Sequence, residues 1–133
     1  MQIEMFDILT FHLLIRANEP IIDPSSGIHL FDRLGNIVFA AGTRQLGKRL
    51  PDLSAGEEVI VRMELQFNVQ PGEYTFSLGA AEPSPEQNPN VGFIHDRHEL
   101  LGPIVVIAET EKLLPFYGIA KLPMNAEFGN VIK

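Results

Sequence analysis

Gly27-Ile28-His29-Leu30-Phe31-Asp32-Arg33-Leu34-Gly35-Asn36-Ile37-Val38-Phe39 is the stretch whose reading decides the fold. Its residues alternate as a strand with one buried and one open face must: Ile28, Leu30 and Asp32 fall on one side, His29, Phe31 and Arg33 on the other. Gly35-Asn36 is turn chemistry, so the stretch reads as a β-hairpin. It is answered further on by Pro71-Gly72-Glu73-Tyr74-Thr75-Phe76-Ser77-Leu78-Gly79, a strand launched from a tight Pro-Gly turn. There Tyr74, Phe76, Leu78 and Ala80 form the apolar row, while Thr75, Ser77 and Gly79 face outward.

The same period recurs on both sides of these two pieces. Phe6 to Ile15 sets Leu9, Phe11, Leu13 and Ile15 against Ile8, Thr10, His12 and Leu14, a strand with two fairly apolar faces. Glu58 to Val69 points Val59, Val61, Met63, Leu65 and Phe67 one way. Leu101 to Ala108 and Phe116 to Leu122 read as the last strands, with an irregular tail after Pro123. Asn18–Ser26, Gly42–Gly56 and Glu82–Asn90 are punctuated by Pro and Gly and read as connections, the last as the most mobile one. His95 to Leu101 has room for one helical turn at most, and no longer helix is expected. About seven short strands with Gly/Pro turns predict an all-β, antiparallel β-sandwich in a single domain spanning residues 1–133. Tyr74, just after a turn glycine, matches the tyrosine corner of immunoglobulin-like sandwiches, although no Cys or Trp pair supports it.

Composition removes several function classes. The 133 residues carry a net charge of −7, which repels phosphate backbones and anionic lipid, so nucleic acid is not expected as a partner. No apolar run reaches the roughly 20 residues of a membrane helix, and Met1-Gln2-Ile3-Glu4 does not open a signal peptide. A soluble, intracellular protein without membrane insertion is therefore expected. The absence of cysteine rules out disulfides, thiolate ligands and a thiolate nucleophile.

Chemistry-bearing motifs are few. His95-Asp96-Arg97-His98 places two histidines at i and i+3, but a third ligand at a definite spacing is missing and Arg97 sets a cation beside the pair. It reads as a polar connection, and no metal or other cofactor is expected. The serines lie in Pro-rich connections or on a strand face, with no Gly-x-Ser-x-Gly elbow, and the carboxylates are scattered along edges and turns. No Gly-x-x-x-x-Gly-Lys-Ser/Thr loop is present. These absences argue against an enzyme.

What remains is the outward row. In immunoglobulin order, the strands around His29, Thr75 and Val105 are neighbours in one sheet. A sugar presents C–H groups on its face and hydroxyls at its rim, so a site for it joins an aromatic platform to hydrogen-bonding groups. Phe31 suits the platform, and His29, Arg33, Thr75 and Ser77 suit the polar groups, with Phe39 and Thr43 at the margin and Gly79 allowing close backbone approach. The same row also fits an ordinary mixed solvent face or a surface covered by a partner chain.

At these residues the chain resembles a known family, the carboxy-terminal carbohydrate-binding domain of the ATP-binding subunit of O-antigen polysaccharide ABC exporters, the Wzt type. The similar pieces run in order: Ala17-Asn18-Glu19-Pro20-Ile21 with Asp23-Pro24, Gly27-Ile28 and the Gly35 turn, and Val38-Phe39 leading to Thr43. Then come Gly56, the Pro71–Gly79 strand, Phe116-Tyr117-Gly118 and Leu122-Pro123. The resemblance covers roughly Phe6 to Pro123. It implies an immunoglobulin-like sandwich that binds a completed polysaccharide on one sheet face, without catalysis, in the cytoplasm beside the exporter's ATPase and membrane subunits. It also implies a homodimer that exchanges its last strand, here Phe116–Leu122. Two departures stand out. Ala40-Ala41-Gly42-Thr43 replaces the usual Gly-x-Asn-Thr, so no role for an Asn carries over. The family also has a strand ahead of the region matching Asp7–Ile15, and its expected absence suggests an excised domain lacking its first strand or an unusual sheet edge. The competing class is an assembly sandwich that binds no sugar, with Ile8, Leu14, Val105 and Ile107 as one continuous protein interface.

Overall fold

A computed structural model of the chain describes residues 1–83, 92–109 and 112–132. Seven strands follow in order: β1 Gln2–Glu4, β2 Ile8–Arg16, β3 Ser25–Phe31, β4 Ile37–Gly42, β5 Glu58–Gln66, β6 Gly72–Pro83 and β7 Gly92–Ile107. They form a five-stranded sheet in the order β1-β7-β6-β3-β4 and a two-stranded sheet of β2 and β5. All neighbours are antiparallel except β1, which runs parallel to the end of β7, pairing Gln2 with Val105 and Glu4 with Ile107.

The sandwich is closed by the alternation visible in sequence. The small sheet contributes Leu9, Phe11, Leu13 and Ile15 from β2 and Val59, Val61, Met63 and Leu65 from β5, a row continued by Phe67. The large sheet answers with Ile28, Leu30, Tyr74, Phe76, Leu78, Ile104 and Val106. The Phe11 and Phe76 rings meet edge-on between the layers, with centroids 5.1 Å apart. Each large side chain fully buried here stabilises the fold by about 1.5–3 kcal/mol relative to exposure.

Two turns set the register of the central strands. The chain leaves β3 at Phe31, and Asp32 caps the turn instead of joining the buried row with Ile28 and Leu30. Its Oδ1 accepts the backbone N–H groups of Leu34 and Asn36 at 2.9 and 2.8 Å, and its Oδ2 accepts the Asn36 side chain at 3.1 Å. These donors, the Asn36 backbone foremost, hold the Asp32 carboxyl below its ordinary pKa. Gly35 sits at φ +84°, a left-handed conformation that favours glycine. At the other turn, the Tyr74 hydroxyl donates to the Gln70 carbonyl at 2.6 Å, four residues upstream. This is the contact that defines a tyrosine corner. Burial pushes the phenol pKa up, and the Asp32 carboxylate adds to the shift.

Three expectations change. His95–Leu101 is neither a turn of helix nor a loop: it runs within β7, whose length is set by pairing with β6 through Leu78↔His98 and Gly79↔Arg97. Phe116–Leu122 forms no strand, and the described tail, 112–132, has no regular structure and is mostly exposed. Glu82 and Pro83 belong to β6, while the rest of the expected Glu82–Asn90 loop lies outside the described residues.

The root of the tail is held. The Phe116 carbonyl accepts the Gln70 side-chain amide at 2.7 Å, and the Phe116 ring lies 6.4 Å from that of Phe6. Lys121 places its ammonium 5.3 Å from the Phe6 ring centroid. Phe6 itself sits at φ 70°, which is rare for a bulky residue.

Candidate functional site

The outer side of the large sheet brings four of the seven sequence-selected residues together. β3 and β6 pair His29 with Ser77, Phe31 with Thr75, and Gly27 with Gly79. His29 and Phe31, two residues apart on one face, stack their rings almost parallel, at 13° with centroids 6.2 Å apart. Beside this aromatic wall, Gly27 and Gly79 leave the sheet without side chains, and Gly42 of β4 continues the line next to Gly27. Gly42 is also required by packing, because a Cβ there would lie 2.2 Å from the Ser26 carbonyl, whereas a Cβ on Gly27 would make a tight contact with the Ala41 carbonyl at 3.1 Å. Thr75 is half-buried and lies across from Phe31. Ser77 is 1% exposed, and its Oγ is buried without a hydrogen-bond partner.

The other three residues are placed apart. Arg33 stands exposed in the turn beyond β3, past the end of the row rather than in it. Phe39 pairs with Leu30, not with His29, whose β4 neighbour is Ala40. It therefore shares the side of the sheet that carries the core row, and its edge-strand position leaves it 44% exposed. Thr43 is buried and used by the fold: its Oγ1 accepts the Ser26 N–H at 3.1 Å, and its own N–H donates to the Ser26 carbonyl at 2.8 Å. That pair of bonds pins the end of β4 to the start of β3.

The expected continuous apolar interface does not form. Ile8 and Leu14 lie on the outside of the small sheet, where Leu14 pairs with Ile60. Val105 and Ile107 alternate with the buried Ile104 and Val106, so they face out from the opposite side of the sandwich. For the His95–His98 motif, the side chains of His95, Asp96 and Arg97 lie outside those described. Among the described residues no three His, Asp or Glu side chains converge as a metal site would require.

Two hollows were not selected from sequence. One, about 530 Å³, opens between the layers, floored by Leu13, Ile15 and Leu78 and rimmed by Asn18, Glu19 and Arg16. The other, about 370 Å³, lies where Asp23 and Pro24 meet the connection after β4, and is lined by Arg44, Gln45, Lys48 and Arg49. Three cations within residues 44–49 of an acidic chain were the available signal for it.

Fold and site together define a class: an immunoglobulin-like β-sandwich whose larger sheet keeps one face, mixed aromatic and polar, as its candidate ligand surface. The profile of the Wzt C-terminal domain family matches residues 1–122, and the chain belongs to that family. Among solved structures it is similar to the one titled crystal structure of the C-terminal domain of Wzt, with a TM-score of 0.73 and 16% identity. The match covers 98% of this chain and 74% of that one, and is a likeness of fold. No curated protein sequence matches the chain.

Proposed function

We propose that this domain binds, without catalysis, a bacterial surface polysaccharide of O-antigen type for export by an ABC transporter. The observation that carries the reading is the His29–Phe31 ring stack set across from Thr75 and Ser77 and beside the side-chain-free Gly27–Gly79 pair. An apolar plane, hydroxyls and open backbone within one row are what a pyranose needs: its C–H face packs on the rings while its rim exchanges hydrogen bonds. Arg33 stands exposed in the turn just past the row, and Ser77 belongs to the row but is buried within it. Phe39 and Thr43 have other surroundings and drop out of the binding set. Membership of the Wzt C-terminal domain family supports the exporter context and, with it, a cytoplasmic place beside the ATPase and membrane subunits. No helix among the described residues is long and apolar enough to cross a membrane.

A homodimer with an exchanged carboxy-terminal segment belongs to the same reading. It is supported by the exposed Leu113, Tyr117, Ile119 and Leu122 of the tail and by the open hollow along β2. Two shallow sites in one dimer would bind a repeating polymer with avidity. The test is a glycan array read with the intact protein, with Phe31→Ala and Arg33→Ala beside it and the mass in solution measured for each. Binding that falls in both variants at unchanged mass is expected, and unchanged binding removes the site assignment. The second reading, an assembly sandwich without sugar, is favoured by the exposed Leu14–Ile60 pair outside the small sheet. Dimerisation with no glycan signal would select it.

A further inference from the structure

The hollow beside Asp23 has a chemistry of its own, separate from the aromatic row. Its walls hold Arg44, Lys48 and Arg49 against Asp23, and Asp52, bonded to Arg49 outside the lining, makes three cations to two carboxylates on a chain whose net charge is −7. The two arginines are held in place by their partners. Arg44 donates to the Asp23 carboxylate at 3.2 Å and to the Asp23 carbonyl at 2.8 Å. Arg49 bridges Asp23 and Asp52 at 3.3 and 3.2 Å. Asp52 in turn accepts the Asp23 N–H at 2.8 Å, which holds Asp23 in its left-handed conformation at φ 51°. Both carboxylates thus spend their charge on guanidinium groups, and each guanidinium keeps N–H groups to spare.

Lys48 is different. Among the described residues its ammonium has no partner, although its backbone is fixed by an N–H bond to the Thr43 carbonyl at 2.8 Å. Gln45 spends its side-chain oxygen on the Gly42 N–H at 2.9 Å, so only its amide N–H groups remain to offer. Around Gly47, at φ +68°, nothing stands within 4 Å of where a Cβ would project, so the floor of the turn is open. The hollow therefore presents donors and one net positive charge in a space of about 370 Å³.

We infer that this hollow is a binding site for a compact oxyanion, a carboxylate or a phosphate group, with Lys48 as its primary charge and Gln45, Arg44 and Arg49 as supporting donors. The arginines are already oriented by Asp23 and Asp52, so the anion meets preorganised groups and orders chiefly Lys48. A neutral sugar gains nothing from this arrangement. The site stands on its own geometry and does not depend on what the aromatic row binds.

The test is a titration of the ¹⁵N-labelled chain at low salt with glucuronate, glucose 1-phosphate and glucose, followed through backbone amide shifts. Saturable shifts confined to residues 43–49 and Asp23 with either anion, and none with glucose, are expected. Glucuronate acting alone would assign a carboxylate ligand, and glucose 1-phosphate alone a phosphate. Lys48→Glu breaks no contact within the fold, and it should weaken the response at least fivefold while leaving the spectrum elsewhere unchanged. Absence of saturable shifts with both anions, or an unweakened response in Lys48→Glu, overturns the proposal.

Discussion

The two sides of β3 and β6 share one backbone and one register yet answer to different physics. On the inner side, Ile28, Leu30, Tyr74 and Phe76 are selected by burial against the small sheet, so shape and apolarity suffice to describe them. On the outer side, Gly27, His29, Phe31, Thr75, Ser77 and Gly79 have no facing sheet to satisfy. Their mixture of rings, hydroxyls and missing side chains is the feature on which the proposed binding function rests. The contrast teaches that a strand in this fold carries two messages at a period of two, one about stability and one about what comes to the surface.

The sharpest way to break the contrast is to truncate neighbours on β3. Leu30→Ala should cost about 2–5 kcal/mol, read from urea unfolding, because Leu30 is 2% exposed and its loss leaves a cavity. Phe31→Ala, one residue on, should cost about 1 kcal/mol or less while weakening glycan binding. Equal destabilisation would mean that the outer row is a second core. Gly42→Ala comes next. Its Cβ would meet the Ser26 carbonyl and the Gly27 Cα, both backbone, so strands must part at a cost of about 1–3 kcal/mol, visible as a lowered melting temperature.

Smaller effects separate the two sides further. Tyr74→Phe removes the bond to Gln70 and leaves a partly buried carbonyl short of its donor, so about 1 kcal/mol should be lost. Ser77→Ala removes a hydroxyl that has no partner, and stability should hold or rise in the same denaturation assay. The smallest effect is the pH dependence of the Asp32 turn. A carboxyl held below its ordinary pKa of 3.8 stabilises the fold fully at neutral pH and loses that contribution as pH falls through its folded value. The melting-temperature gap between the parent and Asp32→Asn should therefore close below about pH 4. A gap that persists in acid would show that the turn depends on shape rather than charge.

Much of this was legible in sequence because alternation reports burial directly. The inner rows of β2, β3, β5 and β6, the neighbouring of β3 and β6, and the Tyr74 corner all follow from local patterns. What failed to show depends on distant partners. β1 has three residues and exists through pairing with the end of β7, while β7 owes its length to β6 rather than to any pattern of its own. Phe39 looked like a companion of His29, but the register shift between Leu30 and Phe31 sets it opposite Leu30. Thr43 looked like a site margin, yet its hydroxyl and N–H both serve Ser26. Side-chain type alone could not tell a hydroxyl that a ligand meets from one that a strand uses.

The strained backbone at Phe6 has a bearing on the tail that leaves beside it. A bulky residue at φ 70° costs about 1–2 kcal/mol of local conformational energy, held here by the Phe6 N–H to the Phe67 carbonyl at 2.8 Å and by Gln66 on the Phe6 carbonyl at 3.2 Å. That energy holds the ring where Phe116 and Lys121 can rest on it. Exchange of the Phe116–Leu122 segment between two copies would have to displace these contacts with the Phe6 ring and the Gln70 side chain before new ones form.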